Sequence, residues 1–451
     1  MGQLREQVRG EIITGDDPAY EEARRVYNAM IDRRPRVIVR CAGADDVVAA
    51  VNFARESQLD LAVRGGSHSV PGFGTADDAV VIDLSRMQGV EVDPGTRTAR
   101  GQGGATWGVF NDATHAHGLA TTGGIISTTG IGGLTLGGGI GYLSRGFGLS
   151  CDNLLSAEVV SADGRMLIAS EQANEDLFWA IRGGGGNFGV VTSFDYQLHP
   201  VREIYGGPML YELRDAATVL KFYRDFIRDA PEELGGFPAW QIAPPLPFIP
   251  EDRHGDTFLI FVSCWTGPIE EGEAALKPFH EVAPVVAEHV GPTPYPALNS
   301  AFDALVPPGL QHYWKANFVK ELTDEAIDAH LEHGPKVPVV NSTVHIYPIN
   351  GACHRVAPDA TAFAFRDATF ATVIAGMWPD PAENDRNIAW VRDFYEATAP
   401  HSEEGGYVNF MAGDDQERVR VNYGENYDRL VDVKRKYDPD NLFHLNQNIR
   451  P

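Results

Sequence analysis

The chain has 451 residues, of which 43% are hydrophobic and 22% charged, the composition of a folded protein with length for two or three packed cores. Its formal net charge of −25 excludes a phosphate-backbone partner, because nucleic-acid binders present a basic face and no run of Lys or Arg occurs here. No stretch approaches the ~18 uninterrupted apolar residues of a membrane-spanning helix, and Met1 to Glu6 lacks the apolar segment of a signal peptide, so a cytoplasmic protein is expected.

Asp17-Pro18 offers an acidic N-cap followed by proline in the first turn, predicting a helix over Ala19–Met30. A second helix is expected over Ala44–Ser57, with Val47, Val51 and Ala54 on one face. Short strands follow at Leu61–Arg64, Val80–Leu84 and Gly89–Asp93, then a turn at Asp93-Pro94-Gly95 and a strand to Gly101. Trp107–His117 reads as a helix closed by Gly118. Leu155–Ser161 and Arg165–Ala169 form a hairpin around Ala162-Asp163-Gly164, Glu175–Arg182 is a short helix, and Gly189–Leu198 is a strand.

From about Val201 glycine thins while aromatic residues and prolines rise. Apolar strands (Phe258–Trp265, Val339–Ile349, Thr369–Met377) alternate there with amphipathic helices around Leu220, Ala274, Ile327 and Trp390. A charged helix, Tyr427–Tyr437, leads into a closing unit. The alternation predicts an α+β protein divided into residues 1–202, 203–402 and 403–451. Cys41, Cys151, Cys264 and Cys353 stand too far apart for a disulfide framework or a zinc site. His115 and His117, two apart on one helix, do not share a face, so no metal is expected.

Two segments carry the chemistry. In Val63-Arg64-Gly65-Gly66-Ser67-His68-Ser69 a strand runs into a turn whose N–H groups can converge on an anion beside a nucleophilic imidazole. About sixty residues on comes Thr129-Gly130-Ile131-Gly132-Gly133-Leu134-Thr135-Leu136-Gly137-Gly138-Gly139. Gly139-Ile140-Gly141-Tyr142-Leu143-Ser144 lacks the third glycine of a dinucleotide fingerprint and does not join a strand to a helix, which excludes a nicotinamide site. With Gly148-Leu149-Ser150-Cys151-Asp152-Asn153, the Gly183–Gly189 cluster and the ending Tyr437-Asp438-Pro439-Asp440-Asn441-Leu442-Phe443-His444-Leu445-Asn446-Gln447-Asn448-Ile449, these segments resemble the FAD-linked oxidases of the vanillyl-alcohol oxidase type. The likeness is strongest to the berberine bridge enzyme-like branch, which includes bacterial 6-hydroxynicotine oxidases and tailoring flavoenzymes of aromatic polyketide pathways such as the enterocin one.

That resemblance implies a two-lobed FAD-binding domain of the PCMH type, a substrate domain whose antiparallel sheet is flanked by helices, and a C-terminal segment that completes the FAD domain. It implies cofactor contacts from Arg64, Gly65, Gly66, Ser67, His68 and Ser69, and from Gly103. Thr128, Gly130, Ile131, Gly133, Leu134 and Gly138 would contribute from the second motif. Tyr142, Asn153, Val160, Asn409 and Asn446 complete the expected set. His68 matches the histidine bonded to the flavin 8α-methyl carbon. Ile126 stands where doubly attached relatives carry a cysteine, so a single attachment is expected and Cys151 is read as a small packing residue. Ile131 matches the position beside the flavin edge where residue size governs access of dioxygen.

Strand alternation in Val344-His345-Ile346-Tyr347 puts His345 and Tyr347 on one face, and the resemblance turns that face toward the flavin. His345 is named first as base, Tyr347 second, against the alternative of a histidine merely hydrogen-bonded at a strand end. A base with the ordinary imidazole pKa near ~6.5 would give rates that fall as pH drops through it. Asn409 would orient substrate, and Trp240 and Gln241 are candidate pocket residues. The expected activity is oxidation of a small alcohol, amine or phenolic, polyketide-like metabolite of secondary metabolism, with dioxygen as acceptor, by a monomer or homodimer. An oxygenating or cyclising flavoenzyme remains open, as does a catalytically silent FAD-carrying binding protein.

Overall fold

The computed structural model describes the backbone of residues 1–451 and the side chains of all but 414–416. The first lobe is built on a four-stranded sheet in the order Glu11–Thr14, Val37–Arg40, Val80–Asp83, Leu61–Arg64. Its three inner-order strands run parallel and the Glu11 strand antiparallel. Ala44–Ser57 is helical as expected: Asp45 and Asp46 occupy its first turn, Val47, Ala50, Val51 and Ala54 are buried at helical spacing, and Gln58 closes it in the left-handed region at φ 53°. The buried Asp46 carboxylate accepts N–H bonds from Arg9, Gly10 and Ala42, which pins the N-terminal segment to this helix.

The helix expected over Ala19–Met30 is confined to Tyr20–Ala23. Beyond it the backbone finds tertiary partners in place of helical ones: Tyr27 N–H donates to Ser67 O and Ala29 N–H to Leu310 O. Those bonds compete directly with the i→i−4 ladder, and each backbone group can be satisfied only once.

A second lobe holds a fully antiparallel five-stranded sheet in the order Val90–Asp93, Thr98–Gln102, Val190–Gln197, Leu154–Val160, Met166–Ser170. The helices Trp107–His115 and Glu175–Ile181 pack on it. Leu430, Val433 and Tyr437 of the helix Tyr427–Tyr437 join the same core beside Phe178, Trp179 and Phe188. The Lys434 ammonium, fully buried, donates to Asp438 Oδ2 and to the carbonyls of Asn187 and Phe443, so the C-terminal segment is locked to the second glycine cluster.

An eight-stranded antiparallel sheet formed by residues 203–378 lies over these lobes. Its path runs Val285–Glu288, Glu203–Tyr211, Thr257–Trp265, Leu234–Ile242, Thr343–Pro348, Phe370–Trp378, Gln311–Val319, with Gly291–Pro294 paired to the Glu203 strand. The strand expected from Val339 begins only at Thr343, because Ser342 N–H turns back to Val339 O. One face of this sheet is covered by the helices Ala216–Asp229, Gly272–Val282, Asp324–His333 and Asn384–Thr398. The other face roofs the cavity.

Candidate functional site

A cavity of about 370 Å³ lies between the two glycine motifs, the open face of the large sheet and the C-terminal segment. The chain leaves the edge strand Leu61–Arg64 at its carboxyl end, and Ser67 turns it through the left-handed region at φ 63°. Among the described residues, the backbone N–H groups of Gly65, Gly66, Ser67, His68 and Ser69 donate to no protein acceptor, and all five residues line the cavity. A row of free N–H groups at a strand end is a built anion cradle, which fits the pyrophosphate of FAD. Gly130, Gly133, Leu134, Gly103, Asn409 and Asn446 line the same cavity.

His68 stands at the end of this cradle. Its Nε2 pairs with Thr128 Oγ1 at 3.0 Å and its Nδ1 meets Thr129 Oγ1 at 3.4 Å. The ring stacks on Tyr27 with centroids 3.8 Å apart. His68 keeps surface toward the cavity, yet protein crowds it on every other side; this desolvation, with His312 nearby, lowers its pKa to about 3. The imidazole is therefore neutral and nucleophilic at any ordinary pH.

Several expected contacts fall elsewhere. The Arg64 guanidinium is taken up by Asp83 Oδ2 at 2.8 Å and by the carbonyls of Ala23 and Arg25, so only the remainder of the residue faces the cavity. Ile131 is fully buried, with its side chain directed at Gly101 and Phe110. It stands behind the cavity wall, next to the lining residues Gly130 and Gly132. Asn153 is spent on Phe147 O, Leu149 O and His199. Val160 sits in the first-lobe core, Gly138 packs against Phe363 and Tyr407, and Tyr142 lies behind Phe237 with ring centroids 5.6 Å apart. Thr128 acts through His68 and not on the wall.

Trp240 and Gln241 are separated by strand alternation. Gln241 lines the cavity, whereas Trp240 is 1% exposed in the opposite, helix-covered core, against Gly334. His345 and Tyr347 do share the cavity face, with His345 Nδ1 and the Tyr347 hydroxyl 2.6 Å apart. Burial lowers the His345 pKa to about 3 and pushes that of Tyr347 far up, so the pair is neutral and the expected titration near ~6.5 is displaced. Asn409 Nδ2 donates to Leu134 O and to the Tyr407 hydroxyl, which also accepts from Gly139 N–H. This network ties the C-terminal segment to the second glycine motif.

The sequence reading missed Tyr27, hidden in a helix that does not form, and the cavity residues Thr343, Trp314, Asn341 and Phe410. The signal for Thr343 was available: it precedes His345 by two on one strand. Cys151 is fully buried away from the cavity, and desolvation pushes its thiol pKa well up. Ile126 lines the cavity. Among the described residues no cluster of His, Cys, Asp or Glu could hold a metal, and no helix is long and apolar enough to cross a membrane.

A bilobed anion cradle roofed by an antiparallel sheet defines a flavoprotein of the FAD-linked oxidoreductase class, and the chain belongs to the berberine bridge enzyme-like family of these enzymes. Residues 35–170 match the FAD binding domain and residues 406–450 the berberine and berberine-like domain. The chain is 33% identical to an uncharacterized FAD-linked oxidoreductase of Bacillus subtilis, over 99% of this chain and 98% of that protein. It is 30% identical to (R)-6-hydroxynicotine oxidase of Paenarthrobacter nicotinovorans, over 98% and 97%. The crystal structure of 6-hydroxy-D-nicotine oxidase from Arthrobacter nicotinovorans superposes with a TM-score of 0.87 at 26% identity, covering 98% of each chain.

Proposed function

We propose that this FAD-linked oxidoreductase is an oxidase that carries its flavin covalently through His68 alone and returns the electrons to dioxygen. The observation that carries this reading is the placement of a neutral imidazole at the end of five unpartnered N–H groups, in one cavity with the His345–Tyr347 pair. The stronger bond at Nε2 leaves Nδ1 as the ring atom freer to attack. Bound there, the flavin supplies hydride acceptance. Tyr27 holds the His68 ring plane by stacking, and Asn409, fixed by two donated bonds, braces the flavin side of the cavity.

Among the described residues His345 Nε2 has no hydrogen-bond partner, and with Nδ1–H donating to the Tyr347 hydroxyl it is the ring atom left to accept from a substrate hydroxyl. Because its pKa is near 3, it takes the leaving proton only transiently and passes it to water. The dioxygen role is supported by the similarity to (R)-6-hydroxynicotine oxidase. The division into an FAD-binding unit (1–202 with 403–451) and a substrate unit (203–402) is the proposed organisation. The test is acid precipitation of the purified protein, followed by anaerobic substrate addition and a peroxide assay. Colour that stays with the precipitate, bleaching under anaerobiosis and peroxide in air are the expected results. Flavin in the supernatant overturns the covalent tether, and reduction without peroxide overturns the oxidase reading.

A further inference from the structure

The register of the large sheet sets out the substrate side of the cavity row by row. Across one row, Ile260, Ala239, His345 and Val373 stand on neighbouring strands. Across the next stand Gln241, Thr343, Ala375 and Trp314. All eight line the cavity. His345 is thus framed by aliphatic side chains, and two alanines leave the wall recessed on either side of it.

Charge is missing from this wall. Among the described residues that line the cavity, the only charged side chain is Arg64, and its guanidinium is spent on Asp83 and backbone carbonyls. An ammonium or carboxylate entering here would lose its hydration without a counter-charge, the most costly kind of burial.

The few polar atoms are oriented alike. Gln241 Nε2 donates to the carbonyls of Val340 and Ile242, and Asn341 Nδ2 donates to Leu305 O at 2.6 Å. With their N–H groups so engaged, the two amide oxygens receive no donor among the described residues. Trp314 Nε1 is an unpartnered donor on the same face, and His345 Nε2 accepts in the tautomer whose Nδ1–H donates to the Tyr347 hydroxyl. Beyond them, Trp314 meets Phe410 at 5.9 Å and Phe410 meets Tyr347 at 6.1 Å, an aromatic surface suited to a planar ring.

Resting on the flavin reading above, we propose that the substrate is an uncharged alcohol on an aromatic or alicyclic hydrocarbon skeleton, and neither a saccharide nor an ion. Its hydroxyl would donate to His345 or an amide oxygen while the skeleton lies on Ile260, Val373 and the aromatic patch. A saccharide would bury several hydroxyls against hydrocarbon with too few partners. In the reaction the carbinol C–H bond breaks, with both electrons leaving as hydride to the flavin, and the O–H proton departs through His345 to water. The C–O bond becomes a carbonyl, and dioxygen takes up the two electrons with two protons as hydrogen peroxide.

The experiment is calorimetric titration of the flavin-loaded protein with naphthol, which has no carbinol C–H to oxidise, and with naphthoate, naphthylmethylammonium and xylobiose. Naphthol should bind at least ~100-fold more tightly than each of the others, since they bury a charge or several unpaired hydroxyls. Gln241→Leu should weaken naphthol by ~10-fold and leave naphthalene unchanged, as expected for one lost acceptor in a wall otherwise intact. Equal or tighter binding of xylobiose or either ion, or no binding of naphthol, overturns the substrate class while the flavin reading stands. A purified protein without flavin overturns the flavin reading, and this inference with it.

Discussion

A β-carbon placed on Gly66 would stand 2.3 Å from the backbone nitrogen of Gly130, and one placed on Gly130 would stand 2.5 Å from that of Gly66. The two glycine motifs, sixty-four positions apart, therefore touch backbone to backbone, and each glycine is required by the other. No rotamer change relieves such a contact, because no side chain takes part. Gly66→Ala should cost about 1–3 kcal/mol through forced separation of the loops and should lower the flavin content of the purified protein. Thermal melting together with the protein-to-flavin absorbance ratio reads both effects; a variant melting and loading like wild type would show that the crossing is looser than the geometry here.

The proposed single tether gives a paired expectation. His68→Ala should release all flavin on acid precipitation, whereas Cys151→Ser should leave the flavin-peptide mass unchanged, since that thiol is buried, protonated and off the cavity wall. Peptide mass spectrometry after digestion decides it. A flavin adduct that disappears in the Cys151 variant would refute single attachment.

For His345 the sign follows from burial. Its pKa is lowered to about 3, so the ring stays neutral at every pH above that value and loses its acceptor only below it. The rate of anaerobic flavin reduction should be flat from about pH 5 to 9 on this account, in place of the decline near ~6.5 that an unperturbed imidazole would give. His345→Ala should slow reduction by roughly 10²-fold, the low end for a positioned base, because a weak base accepts little of the proton. Stopped-flow bleaching across that range, with a substrate in hand, is the measurement, and a limb with a midpoint near neutrality would assign the titration to another group.

How much of this was readable beforehand depends on the range of the interactions involved. The helix Ala44–Ser57, the strand Leu61–Arg64 and the helix Tyr427–Tyr437 fall at the residues expected, because local periodicity and capping decide them. The segment after Ala23 was misread because its backbone partners, Ser67 and Leu310, are distant in sequence. The same holds for the site. The two motifs were legible as motifs, but the sequence could not show that Arg64 turns to Asp83, that Ile131 turns to Phe110, or that Trp240 occupies the helix-covered face. Those outcomes depend on which strand neighbours which. His345 and Tyr347 were placed on one face by alternation alone, and burial, a property of the whole fold, changed what that imidazole can do.

Lys434 offers a test of the C-terminal lock. Lys434→Met removes the cation from a site with no solvent and leaves the Asp438 carboxylate buried with only the N–H groups of Leu442 and Phe443. Loss of one partner of such a pair costs about 3–5 kcal/mol. Melting temperature and flavin retention should fall together; a variant that melts as wild type does would mean that water enters the site.

The same segment sets the order of events at synthesis. Asn409, Phe410, Phe443, Asn446 and Gln447 all stand on the cavity wall, and the lock at Asn187 is made by Lys434 from more than two hundred positions downstream. A chain emerging from the ribosome thus carries both glycine motifs long before it owns the wall that closes over them. The wall over the cradle is therefore completed by residues far downstream of the two motifs that form its floor.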